Sequence, residues 1–462
     1  MKNPGEYFFT KVSYLYIWRF IELLTIIGAA HFLSINEFSL AFFPIILAYF
    51  FMNFFDLTIK EHNPEKIKLF CNTLSLIAPL YGIFVALIIF IISLLYPITI
   101  PLRYASTIAL FISFKKTAEV YFTSKKRNER IYFVNLISQI VSAILMFSMI
   151  YFGYESLAVL VSYLIYNLLT TILLWAFFPF KLKSKFNKEA FGEILLSLKS
   201  NLELKFTRNI STYAPLIIVG FLNKIYFSYI FLGFWIGYFM YNNFTIFITD
   251  LFMDRFKNMS YDMFKYNLVK ITEYLSFLIV PLSLISMVLI PQISSIIIPW
   301  TGVSEILWML LLAGLIKSIA EISRLVFIVE PKLLVLVKIT LIEFGVLFFF
   351  IIILGNFFGS YGVALAMLIT SILISILYLL ISQRFIKLDI VTVSKNYFYI
   401  VFSGFLSALA VGFLKGWLNV QNIYSLLVIY LIGLGIYVVL TFLFNKSFYR
   451  MFIRFIFEVL EE

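Results

Sequence analysis

About fourteen apolar windows, each close to the roughly 20 residues that cross about 30 Å of hydrocarbon, follow one another along the chain with short polar turns between them. In lipid no backbone N–H or C=O is left bare, so each window is an expected helix. They fall near 12–33, 38–59, 70–96, 100–122, 131–152, 156–179, 205–222, 226–250, 268–298, 304–328, 332–354, 360–382, 397–418 and 422–444. A chain with 62% hydrophobic and 13% charged residues is excluded from the soluble globules. The first window holds Arg19 and Glu22 and is followed by no cleavage site, so it reads as a retained span and not a signal peptide.

The basic residues alternate with the windows. If the amino terminus is cytosolic, the inside segments hold Lys60, Lys66 and Lys68, then Lys125, Lys126, Arg127 and Arg130, then Lys181, Lys183, Lys185 and Lys188. Arg255, Lys257 and Lys265, Lys332, Arg384, Lys387 and Lys395, and finally Lys446, Arg450 and Arg454 continue the series, whereas the outside turns offer little beyond Arg103, Lys224 and Lys415. This obeys the positive-inside rule and sets both termini in the cytosol. The net charge of +12 is therefore topology, and no nucleic-acid partner is expected.

The chain also repeats itself. A shift of 202 residues lays Lys68 on Lys270, Pro79 on Pro281, Pro97 on Pro299, Lys115 on Lys317 and Glu119 on Glu321. With somewhat different shifts, Phe9-Thr10-Lys11 recurs as Phe206-Thr207-Arg208 and Phe38-Ser39 as Phe227-Ser228. The expected organisation is an all-α polytopic membrane protein with two parallel six-helix lobes, 1–180 and 203–383, related by an axis along the membrane normal. A cytosolic basic linker, 181–202, joins the lobes, and 384–462 adds two helices and a cytosolic tail. Phe186, Phe191, Ile194, Leu195 and Leu198 give the linker an amphipathic spacing, so it either lies on the membrane face or is solvated.

Charges inside the windows are the candidate functional residues. Helix 1 has Arg19 and Glu22; helix 4 has Lys115, Lys116 and Glu119; helix 10 has Lys317, Glu321 and Arg324; helix 11 has Lys338 and Glu343. A charge at the bilayer centre costs roughly 2.5–3.5 kcal/mol even on a mild scale, so these side chains are expected to face the bundle interior. The i,i+4 spacing of Lys115 with Glu119, and of Lys317 with Glu321, lets each pair partly neutralise itself. At about 1.5 Å per residue, Arg19, Lys115 and Lys116 sit roughly 10 Å inside the cytosolic helix ends. Two readings stand: these groups bind an anionic substrate, or they are ion pairs that hold helices together. Glu22, Glu119 and Glu321 suit either a coupled ion or a counterion role. Tyr163, Tyr166 and other tyrosines stack on sugars or form interfacial belts, and Asn53, Gln139 and Asn167 bond sugar hydroxyls or neighbouring helices.

The six-plus-six organisation, the extra helical pair, the Asn36-Glu37-Phe38-Ser39-Leu40 turn, Asp56-Leu57 and the Gly359-to-Ala366 segment together resemble the polysaccharide and O-unit flippases. These belong to the multidrug, oligosaccharidyl-lipid and polysaccharide exporter superfamily. The resemblance implies a V-shaped pair of bundles with a central cavity opening alternately to each side. It implies a non-enzymatic flippase of the bacterial inner membrane that moves an undecaprenyl-pyrophosphate-linked oligosaccharide, an O-antigen or capsule repeat unit, to the outer leaflet. Arg19, Lys115, Lys116, Lys317 and Arg324 are the residues expected to receive the pyrophosphate or acidic sugars, Arg as a fork and Lys as a point charge. Membrane lipids are expected partners, as are a polysaccharide polymerase and its chain-length machinery. The alternatives are a cation-coupled drug exporter of the same superfamily, for which Glu22 would be apt, and a membrane-embedded glycan polymerase, which usually needs a larger outside loop. One cysteine, Cys71, and two histidines, His31 and His62, exclude an internal disulfide and a zinc cage, so neither a metal nor another cofactor is expected.

Overall fold

The computed structural model describes residues 4–55, 57, 64–95, 99–125, 127–179, 186–239, 241, 260–329, 333–386, 390–418, 420–446 and 448–450. Every regular element among the described residues is a helix: α1 (Pro4–Phe32), α2 (Ile35–Asn53), α3 (Pro64–Leu95), α4 (Thr99–Ser124), α5 (Asn128–Tyr151), α6 (Glu155–Ala176), α7 (Lys188–Leu222), α8 (Lys224–Gly237), α9 (Tyr261–Ile297), α10 (Val303–Val329), α11 (Leu333–Ile386), α12 (Ile390–Trp417) and α13 (Ile423–Phe444). The α11 segment turns at Gly359, where φ is 62°, and so holds two of the apolar windows. A side chain is unfavourable at that φ, and at Gly362 a Cβ would run into the Leu354 carbonyl, so the turn needs both glycines. The chain is an all-helical, polytopic membrane protein. Ten stretches of the described residues are long and apolar enough to cross a membrane. The helix α4 is not one of them, because Arg103, Lys115, Lys116 and Glu119 interrupt its apolar run.

Two compact units divide the chain, Met1–Ser228 and Tyr229–Glu462. In the N-terminal unit α3 packs on α4, α5 on α1 and α6, and α4 on α2 and α6. The α1–α2 turn is fixed by a capping box. Ser34 Oγ accepts the Glu37 N–H at 3.4 Å and Glu37 Oε2 accepts the Ser34 N–H at 2.9 Å, which satisfies orphan donors at the start of α2.

The division after Ser228 lies beyond the expected lobe boundary at 202, and residues 188–202, expected in the linker, form the first turns of α7. Packing explains both. Asn187 caps α7 through the Ala190 N–H at 2.9 Å, and its own N–H donates to Thr73 Oγ1 at 3.2 Å. Ile194 is fully buried with Phe70, Leu74 and Val120, while Leu195 and Leu196 are exposed. Further along α7, Gly220 leaves room for the Phe43 ring of α2, which also meets Phe221 and Phe227 edge-on at 5.2 and 5.4 Å. The Ser228 hydroxyl donates to the Ile35 carbonyl at 2.6 Å. The basic stretch 180–185 and the tail beyond 450 lie outside the described residues, as do Asp56, Asp250, Asp254, Asn242 and Asn243.

In the C-terminal unit α9 is the central support, touching α10, α12 and α13. Lipid is as apolar as leucine, so helices here associate by close packing and hydrogen bonds. Pro291 has no N–H to give to the preceding turn of α9. The Lys415 ammonium of α12 reaches this part of α9, donating to the Val288 carbonyl at 2.9 Å and to Gln292 Oε1 at 3.4 Å. Tyr430 OH donates to the Leu282 carbonyl at 3.2 Å, and Ser407 Oγ donates to the Gly433 carbonyl at 2.6 Å, joining α12 to α13. Lys415 is thus a structural hook, which accounts for a cation in a turn where the charge alternation leaves few.

Candidate functional site

The charged windows of the N-terminal unit come together with tyrosines from three other helices. On α1, Arg19 Nη1 lies 2.7 Å from Glu22 Oε2, and its guanidinium lies 4.2 Å from the centroid of the Trp18 ring. Residues three apart share a helix face, so this short pair closes within α1. On α4, Lys115 and Lys116 are both buried and both turn to Glu119, with Lys115 Nζ 3.5 Å from Oε1 and Lys116 Nζ 3.3 Å from Oε2. One carboxylate therefore spans two ammonium groups, each on its own oxygen.

Around these charges the wall is aromatic and amide-rich. The Lys115 ammonium lies 5.6 Å from the centroid of Tyr166 on α6. Asn167 Nδ2 donates to the Tyr163 carbonyl at 2.8 Å and to Tyr49 OH on α2 at 3.4 Å. Tyr213 of α7 hydrogen-bonds Asn53 of α2. Three cations and two carboxylates leave this cluster, as named, with one excess positive charge.

In the C-terminal unit the repeated lysine pairs with a carboxylate of the next helix. Lys317 Nζ on α10 donates to Glu343 Oε1 on α11 at 2.7 Å, within the 2.7–2.9 Å typical of strong charge-assisted hydrogen bonds. Its ammonium lies 5.7 and 5.4 Å from the ring centroids of Tyr238 and Tyr241. Tyr238 OH meets Ser371 Oγ at 3.1 Å. A close crossing of α8 and α10 sets this arrangement, because a Cβ at Gly314 would run into the Gly237 carbonyl. Arg324 is buried further along α10, and the Glu321 side chain lies outside the described residues. Lys338, expected to face inward, is exposed. It stands near the start of α11, where a long stem carries an ammonium towards the headgroups.

The polar residues that had two readings separate here. Gln139 Nε2 donates to Thr25 Oγ1 on α1 at 3.3 Å, and Asn53 and Asn167 bond neighbouring helices. Tyr163 and Tyr166 are buried, whereas Tyr151 and Tyr154 are exposed at the α5–α6 turn. Tyr49, Tyr213 and Tyr238 were not singled out by sequence reasoning, although the repeat carried a signal. The 189-residue shift that lays Phe38-Ser39 on Phe227-Ser228 also lays Tyr49 on Tyr238, and the 197-residue shift of Phe9-Thr10 lays Tyr16 on Tyr213. The buried Glu273, which pairs with Lys270 at 3.3 Å on α9, was also missed; its i,i+3 spacing was the available signal. Among the described residues no group of three or more His, Cys, Asp or Glu side chains is placed to hold a metal ion.

A family model described as "Polysaccharide biosynthesis protein" matches residues 54–299. Among solved structures, the lipid II flippase MurJ in an inward closed conformation superposes with a TM-score of 0.74 at 17% identity, covering 95% of this chain and 99% of its own. An outward-facing multidrug resistance MATE transporter of the MOP superfamily gives 0.55 at 13% identity, covering 86% and 98%. An inward-facing MATE transporter gives 0.50 at 12% identity, covering 84% and 99%. At these identities the likeness is one of fold. No curated protein matches the sequence.

Proposed function

The chain belongs to the polysaccharide biosynthesis protein family, and from that membership we propose that it is a flippase for a polyprenyl-pyrophosphate-linked oligosaccharide. Its substrate is an undecaprenyl-linked O-antigen or capsule repeat unit, moved from the inner to the outer leaflet of the bacterial cytoplasmic membrane by alternating access. Both termini are cytosolic, and no bond is made or broken in the substrate. A polymerase and chain-length machinery would take up the product outside.

The observation that carries this reading is the α4 group, two buried lysines sharing one carboxylate beside tyrosine faces. A diphosphate presented at headgroup level needs cations, and in a water-poor site their attraction is stronger than in bulk solvent. Arg19 offers a bidentate fork nearby, held by Glu22 until substrate arrives. The tyrosines offer flat apolar faces to sugar rings, with hydroxyls to orient them. We place Lys317 with the scaffold, since its 2.7 Å bond to Glu343 ties α10 to α11, and keep Arg324 as a candidate contact. A cation-coupled drug exporter is the second reading, favoured by Glu22 on the first helix and by the shared fold of MATE transporters. The excess positive charge of the cluster opposes cationic drugs.

Deletion of the gene in its host, followed by fractionation of lipid-linked glycans by leaflet, tests the proposal. The expected outcome is a finished repeat unit held on the cytosolic leaflet together with loss of surface polymer. An unchanged glycan profile with heightened sensitivity to toxic cations transfers the assignment to the drug exporter.

A further inference from the structure

The charge pairs of the candidate helices are not equally tight. Arg19–Glu22 and Lys317–Glu343 both close at 2.7 Å, but the Glu119 contacts are 3.5 and 3.3 Å, longer than strong charge-assisted bonds. Sequence order explains part of this. In Lys115–Glu119 the lysine precedes the glutamate, the less favourable order for an i,i+4 pair along a helix. Geometry explains the rest, because one carboxylate stretched between two successive lysines cannot align with both. Its two oxygens sit one against each ammonium, as two oxygens of a phosphate group would.

We propose that Glu119 is an internal occupant of the anion site: its carboxylate holds the Lys115 and Lys116 ammonium groups when no substrate is present, and a substrate phosphate displaces it. This rests on the reading of the α4 lysines as the diphosphate site. Glu119 then sets how tightly the site grips. Two bare lysines buried in an apolar helix would hold a diphosphate strongly, whereas transport needs binding firm enough to load and weak enough to release. On release, the carboxylate returns and keeps the two like charges from facing each other unscreened.

Farnesyl pyrophosphate, a short prenyl diphosphate, serves as the probe, with full-length protein in lipid nanodiscs. Wild type, Glu119→Gln and the Lys115→Ala/Lys116→Ala double variant are compared by calorimetry, with thermal unfolding followed alongside. Glutamine keeps the shape and removes the competing charge, so E119Q is expected to bind about tenfold tighter; tenfold equals about 1.4 kcal/mol. The double variant is expected to lose binding. In a reconstituted flipping assay E119Q should load readily and turn over more slowly, because release becomes limiting. If E119Q loses its folded transition, Glu119→Asp, which withdraws the carboxylate by one methylene, is expected to tighten binding to a smaller degree. Lysine-dependent binding that is unchanged or weaker in E119Q, or in E119D where that stands in, overturns the inference and leaves the function intact. Wild-type binding that survives loss of both lysines overturns the diphosphate site and the inference together.

Discussion

The two units carry the same lysine at the same repeat position, and its described ion pairs differ. In the C-terminal unit Lys317 reaches across to Glu343 on the next helix; in the N-terminal unit Lys115 stays on its own helix and shares Glu119 with Lys116. The 202-residue shift that lays Lys115 on Lys317 lays Val141 on Glu343, so α5 offers no carboxylate where α11 does. What surrounds the lysine is nonetheless repeated. Tyr49 accepts from Asn167 in one unit and Tyr238 meets Ser371 in the other, each pair joining the second helix of its repeat to the sixth. A pair between helices fixes packing, and a loose pair within one helix leaves its cations open to a ligand. Under the proposed function, duplication supplied one polar framework, and the placement of a single glutamate assigns one copy to structure and the other to binding.

The largest expected effect is on stability. Lys317→Ala leaves Glu343 buried without its lysine and should cost about 3–5 kcal/mol, seen as a lowered unfolding transition in detergent and partly defective export. Replacing the pair together, K317M/E343L, should restore most of the lost stability, because apolar side chains of similar volume substitute well for a buried ion pair. The same alanine change at both Lys115 and Lys116 takes two cations from Glu119, which at 19% is more exposed than Glu343 at 10%, so it should lower the unfolding transition less than K317A does while export is abolished. If K115A/K116A unfolds as easily as K317A, the contrast between the units disappears.

Gly314→Ala tests how the Lys317 arrangement is positioned. The added methyl meets the Gly237 carbonyl of α8, so the helices must part, at about 1–3 kcal/mol, measured by thermal unfolding. Next in size is Lys415→Ala, which strips the Val288 carbonyl of its ammonium and should cost about 1–2 kcal/mol. An unchanged unfolding transition in K415A would show that this hook does not hold α12 to α9. Smallest, Tyr49→Phe and Tyr238→Phe should each cost about 0.5–1.5 kcal/mol, since each loses one hydrogen bond. A large difference between them would mean that the repeated tyrosines are no longer equivalent.

Much of the fold was legible in the sequence, because lipid allows few alternatives: an apolar window is a helix, and Gly359 between two windows is a turn. The charged residues of α4 and α10 were legible for the same reason, as charge stands out in apolar surroundings. The Glu343 partner of Lys317 was not. The i,i+4 rule looks along one helix and offers Glu321, whereas Glu343 lies 26 residues on, brought close only by packing of α10 on α11. Buried Tyr163 and exposed Tyr154 look alike in sequence, because a tyrosine suits both a polar wall and a membrane interface. The amphipathic spacing of the linker did not say what its apolar face covers, and packing brings Ile194 and Leu198 against α3.

The most direct test of the central claim is a flipping assay on purified protein in proteoliposomes, using a fluorescent polyprenyl-pyrophosphate-linked sugar and comparing K115A/K116A with K317M/E343L. The account predicts that both variants fold, that K317M/E343L moves the lipid at close to the wild-type rate, and that K115A/K116A does not move it. Transport by K115A/K116A, with failure of a folded K317M/E343L, would contradict it.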